Sequence, residues 1–131
     1  MKQIFIVLAF VLTCSTMFAK QPQRPNSYNY QRGVEALVEG EVATGIDYLN
    51  KEIEENPKNG YAHGWIAAAR ASQSEYGAAL TAVNKAMQYI PKNDVEYTSW
   101  AYSMRANIYL ELEDTVAALK DFNQAIKIDP S

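Results

Sequence analysis

Prolines at positions 57, 91 and 130 each close a stretch with the same layout, the first interval being 34 residues and the second 39. Proline has no N–H to continue a helical ladder and also restricts the residue before it, so it is a natural terminator of helices. A recurrence at this spacing is the mark of a stack of repeated units, each burying its apolar face against the next. Such a stack holds surfaces together, and its working parts are faces rather than reactive groups.

Counting back from the prolines brings four columns into register: Gly33, Ala67 and Ala106; Gly45, Ala79 and Ala118; Leu49, Val83 and Phe122; Glu52, Ala86 and Ala125. The columns run small, small, large, small. Two helices approach closely only where side chains are short, and one larger apolar residue then fills the space left between them. The third copy reads Arg105 to Asp114 followed by Ala117 to Pro130, with Tyr109 in the column where the second copy has Arg70. In these columns the chain resembles the tetratricopeptide repeat (TPR) family, whose pattern sets a Gly or Ala in the first helix, Ala and an aromatic in the second, a further Ala, then Pro. Gly45 and Glu52 make the first copy the most divergent, as suits a terminal repeat with no neighbour on one side.

The resemblance implies an all-α fold, an α-solenoid of three helix-turn-helix hairpins. The six helices are expected near 27–39, 42–55, 60–73, 76–89, 95–112 and 115–128. Gly40 marks the first turn, and Asp94 and Asp114 stand where side-chain oxygens cap a following helix. Asp94 to Thr98 supplies the five extra residues of the longer interval. They read as an early start of the fifth helix, raising a ledge of Val95, Tyr97 and Trp100; a loop insertion is the alternative.

Ahead of the repeats, Lys2 precedes an apolar run from Ile4 to Val11 that continues past a polar break to Met17, Phe18 and Ala19. This is the three-part layout of a secretory signal peptide, and the run is interrupted well short of the about 20 apolar residues of a membrane span. The expected organisation is a leader at 1–19, a linker at 20–26 and a TPR domain at 27–131, with repeats at about 26–59, 60–93 and 94–131. Export to the periplasm or the medium follows from the leader. Cys14 sits in a weak lipoprotein-like box, so membrane attachment is expected only if Cys14 is lipidated or the leader is retained. Removing the leader removes the single cysteine, and with it any disulfide.

The chain carries 12 Lys and Arg against 15 Asp and Glu, a formal charge of −3, with no basic run. Nothing forms the stripe that a phosphate backbone requires, so nucleic acid is excluded as an expected partner. His63 is the single histidine and reads as a packing residue. Glu52, Glu54, Glu55, Glu111, Glu113 and Asp114 read as scattered helix-surface acids, since neighbours along a helix do not face each other. No cofactor, metal set or phosphate loop can be assembled, and the expectation is a protein without catalytic activity.

What remains is a surface. In the family, the first helices of successive repeats line a concave groove. The resemblance places Tyr30, Val34 and Leu37 there, then Tyr61, Trp65 and Ala68, then Trp100, Ser103, Asn107 and Leu110. Aromatic side chains bury large areas with few rotors to freeze, which suits an interface; they also suit packing between repeats, and both uses stay open. TPR domains that hold chaperone tails use Lys, Asn and Arg in these columns. Here Tyr30, Val34, Trp65, Trp100 and Met104 replace that set, so a chaperone tail is a disfavoured ligand. On the last hairpin Leu119, Ile126 and Ile128 point to self-association or to further repeats. The function expected is an exported scaffold that holds a peptide or helix of a protein partner. The alternative is the amino-terminal part of a larger exported enzyme or lipoprotein.

Overall fold

The computed structural model describes residues 22–131; the leader, its cleavage site and Cys14 lie outside them. Six α-helices make up the described residues, with no strand: α1 Tyr28–Val38, α2 Val42–Glu55, α3 Gly60–Ser72, α4 Tyr76–Tyr89, α5 Val95–Glu111 and α6 Thr115–Ile128. They pair as three hairpins, α1 with α2, α3 with α4, and α5 with α6. Each following hairpin sets its first helix against the second helix of the one before, and the first helices α1, α3 and α5 also touch in turn. The backbones of the first and third hairpins stay apart, and side chains bridge them, Tyr30 of α1 lying next to Tyr97 of α5.

The small columns do what close approach demands. Ala67, Ala79, Ala86 and Ala106 are wholly buried, Ala118 and Ala125 nearly so, and Leu49 and Val83 fill the first two hairpins with no exposure. Tyr109 and Phe122, in the last hairpin, are only half-buried. In the first hairpin the fit is close: a Cβ at Gly33 would lie 2.6 Å from Leu49 Cγ, and one at Gly45 2.5 Å from Leu37 Cδ2. Leu37 therefore plugs its own hairpin instead of lining a groove.

Each hairpin turns through one left-handed residue, Gly40 (φ 85°), Ser74 (φ 61°) and Glu113 (φ 62°). Only the first uses glycine; the other two carry the steric cost of about 1 kcal/mol that a side chain brings to this conformation. Helix starts are capped as Asp94 and Asp114 promised, accepting from the Tyr97 and Ala117 amides at 3.2 and 3.1 Å. Asn59 does the same for α3, accepting from Ala62 N at 3.1 Å.

Glu52 corrects the surface reading. It is 1% exposed because its column is the packed one, and a carboxylate there must be satisfied from within. Ser27 Oγ donates to Oε2 at 2.6 Å, Asn59 Nδ2 to the same oxygen at 3.1 Å and Asn56 Nδ2 to Oε1 at 2.9 Å. His63 is a packing residue, 5% exposed, its Nε2 donating to the Pro57 carbonyl at 2.9 Å.

A second buried carboxylate, Asp121, is 4% exposed. Arg105 grips it in a fork, Nε to Oδ2 at 2.7 Å and Nη2 to Oδ1 at 2.9 Å, while Nη1 donates to Asn84 Oδ1 at 3.0 Å. One side chain thus joins α4, α5 and α6.

Four of the five extra residues are helical, Asp94 being the cap ahead of them, and α5 is 17 residues long against 11 for α1 and 13 for α3. The expected ledge is only partly there. Val95 is half-exposed, but Tyr97 and Trp100 fold onto the neighbouring repeat, Tyr97 edge-on to Tyr61 at 4.9 Å between ring centres and Trp100 5.3 Å from Trp65. The additional turn closes over α3 rather than overhanging it.

Candidate partner-binding groove

Gly64 is what admits Trp100: a Cβ at this position would lie 2.7 Å from the indole Cζ3. The ring fills that space and turns its other side to an open recess of about 540 Å3 between α3 and α5. Ala68, Ala71 and Ser72 form one wall, Ser103, Met104, Asn107, Leu110 and Glu111 the other, with Tyr76 from α4 at the end. Short side chains on α3 open the space, and long ones on α5 give it an apolar floor. Asn107 and Leu110 are exposed, Leu110 by 46%.

A smaller recess of about 240 Å3 lies on the other side of Trp100, walled by Trp65, Tyr97 and Glu96. Beyond it the chain ahead of α1 crosses to the third repeat. Arg24 Nε donates to Asp94 Oδ2 at 3.1 Å and its Nη2 to Asp94 Oδ1 at 3.2 Å and Glu96 Oε2 at 2.7 Å. Its guanidinium carbon lies 4.7 Å from the centre of the Tyr97 ring, within cation–π range. The expected linker, 20–26, thus carries at Arg24 a contact to the third repeat.

The groove residues named from the sequence divide into two sets. Trp65, Trp100, Asn107 and Leu110 border the recesses. Tyr30 and Tyr61 are buried, at 8% and 5% exposure, and Val34 and Leu37 pack against the core. Both rings pack into the core, and the Tyr61 hydroxyl finds a partner there. Tyr61 donates to Asp94 Oδ2 at 2.8 Å, and burial, aided by that carboxylate, pushes its phenol above the ordinary range. Burial does the same for Tyr30, next to Tyr97. Ala71 and Tyr76 belong to the recess but carried no signal of their own, because apolar residues at helical spacing look the same whether they face the core or a cleft.

Asp94 is the hub of this end. Burial opposes its ionisation, but the donors Arg24, Tyr61 and Tyr97 N outweigh that and hold its carboxyl below the usual range. A depressed carboxyl stabilises the fold above its unfolded pKa, near 4, and loses that contribution as pH falls through the folded value. Arg24→Ala is therefore expected to lower stability at pH 7, modestly because Arg24 is 46% exposed, and to raise the acid-unfolding midpoint read by circular dichroism, the difference from the wild type vanishing at low pH. An unmoved midpoint would show that the clamp does not hold the ionised form.

A tetratricopeptide repeat family model matches residues 99–131, beginning directly after the five extra residues 94–98. Residues 99–131, the third hairpin, are a tetratricopeptide repeat. Among solved structures the fold is similar to "First TPR of Spaghetti (RPAP3) bound to HSP90 peptide SRMEEVD", with a TM-score of 0.71 at 20% identity, covering 79% of this chain and 78% of that one. No curated protein matches. The TPR fold accounts for the two more divergent hairpins as well, since the small columns that define α5 and α6 recur in α1 to α4. Among the described residues, no three His, Cys, Asp or Glu side chains gather into a set that could hold a metal ion, and no helix is long and apolar enough to cross a membrane.

Proposed function

We propose that this TPR protein is an exported interaction module, without catalytic activity, that holds a peptide or helix of a protein partner in the recess between α3 and α5. The observation that carries the reading is the open apolar floor formed by Trp100, Met104 and Leu110 beside the polar Asn107, between the first helices of adjacent repeats. A recess of this kind offers the two requirements of peptide recognition, desolvated apolar area and a side-chain amide that donates to and accepts from a backbone. The Spaghetti domain, of similar fold, is recorded with a bound peptide. That peptide is acidic, whereas Trp100 and Met104 here stand in place of a basic pair, so a different ligand chemistry is expected.

Leu110→Glu tests the site, because Leu110 is exposed enough to change without unpacking the core. The expected result is at least a tenfold loss of partner capture in a crosslinking pull-down from the exporting cell, with helicity unchanged. Undiminished capture by this variant would move the site elsewhere.

A further inference from the structure

Arg24 shows what the acidic and aromatic end of the groove is built to accept. Its guanidinium is held by two carboxylates, Asp94 and Glu96, and lies over Tyr97. The adjoining recess, bounded by Trp65, Tyr97, Trp100 and Glu96, contains no basic side chain. At the far end of the larger recess the charged residue is again an acid, Glu111. Carboxylates beside aromatic faces favour a planar cation twice over, by charge-assisted hydrogen bonds and by the ring quadrupole. Glu96 is largely exposed and Arg24 nearly half so, so the clamp is open to exchange with solvent and with a competing group.

We propose that the Asp94–Glu96–Tyr97 face is an arginine-binding subsite, and that the partner segment brings an arginine which displaces Arg24 from it. This rests on the groove reading above and adds to it the chemistry of the ligand. Arg24 then acts as a tethered competitor, its local concentration set by the short segment joining it to α1. A neutral or acidic segment leaves it in place; an arginine-bearing one replaces it and continues past Trp100 into the larger recess.

The test uses residues 20–131 and a synthetic peptide copying residues 20–27, Lys20 to Ser27, titrated while the two tryptophan indole N–H signals are followed by NMR. The sequence has two tryptophans, Trp65 and Trp100, and both border the smaller recess. With Arg24→Gln, the peptide is expected to shift both signals saturably, at least fivefold more tightly than with the wild-type chain. A peptide with glutamine in place of its arginine is expected to cause no shift. Glu96→Gln introduced into the Arg24→Gln background should weaken the response severalfold while leaving the helical circular dichroism signal intact, and raising salt from 0.1 to 0.5 M should weaken it further. Equal response to the arginine and glutamine peptides, or none to either, would overturn the subsite and make Arg24 a structural clamp alone. The groove reading fails separately: it falls if Leu110→Glu leaves partner capture intact, whatever the arginine peptide does.

Discussion

Gly60→Ala is expected to destabilise the fold by about 2 kcal/mol, lowering the melting temperature by roughly 10 °C, although it adds a single methyl group. The added Cβ would lie 2.4 Å from the Ile90 nitrogen and 2.7 Å from the Tyr89 carbonyl carbon. These are backbone atoms at the end of α4, and they cannot rotate aside as a side chain would. Alanine normally gains up to about 1 kcal/mol over glycine within a helix, but Gly60 opens α3, where that gain is smaller, so the collision decides the sign. Gly77 is the internal control. A Cβ there meets nothing within 4 Å, so Gly77→Ala should leave stability unchanged or raise it by a few tenths of a kcal/mol. Thermal melts of the two variants read the difference directly; equal melting temperatures would mean that α3 and α4 are not packed this closely.

The second large effect is expected at Arg105. Arg105→Met should cost about 3 kcal/mol, because it leaves the Asp121 carboxyl, 4% exposed, without its partner. The value belongs at the lower end for broken buried pairs, since the Arg105 side chain retains 23% exposure. The pair Arg105→Met with Asp121→Leu should recover most of the loss, because removing both charges abolishes the desolvation cost along with the attraction. Urea unfolding of the single and double variants separates these outcomes. A double variant no more stable than the single one would show that Arg105 acts through packing and through Asn84 rather than through the carboxylate.

Much of the architecture could be read from residue size alone. Pro57, Pro91 and the columns headed by Gly33, Gly45, Leu49 and Glu52 carry the hairpins, because close helix approach tolerates few side chains at the crossing points and those few recur. The positions that line the recesses were less legible. Trp65, Trp100, Asn107 and Leu110 were found by their column in the repeat, but Tyr30 and Tyr61 share those columns and are buried. What separates them is a partner outside the repeat: Asp94 takes the Tyr61 hydroxyl, and it belongs to the five residues by which the third unit exceeds the period. Arg24 and Ser27 were invisible for a related reason. Their partners, Asp94 and Glu52, lie 70 and 25 residues away, and no periodicity predicts a pairing between a segment ahead of the repeats and a cap or column within them. The role of Gly60 was hidden too, since only the path of α4 shows what a side chain there would strike.

The Arg24 clamp also changes what kind of polymer this solenoid is. A stacked array passes strain only from neighbour to neighbour, and its first unit can fray without the third registering the loss. Here an ion pair spanning 70 residues joins the chain before the first hairpin to the first helix of the third, skipping the second. The linear array becomes a closed circuit, with two routes between its ends. Detaching the first hairpin must either break the clamp or stretch the short segment ahead of α1, so the terminal repeat, ordinarily the first to loosen, is tied to the fate of the last.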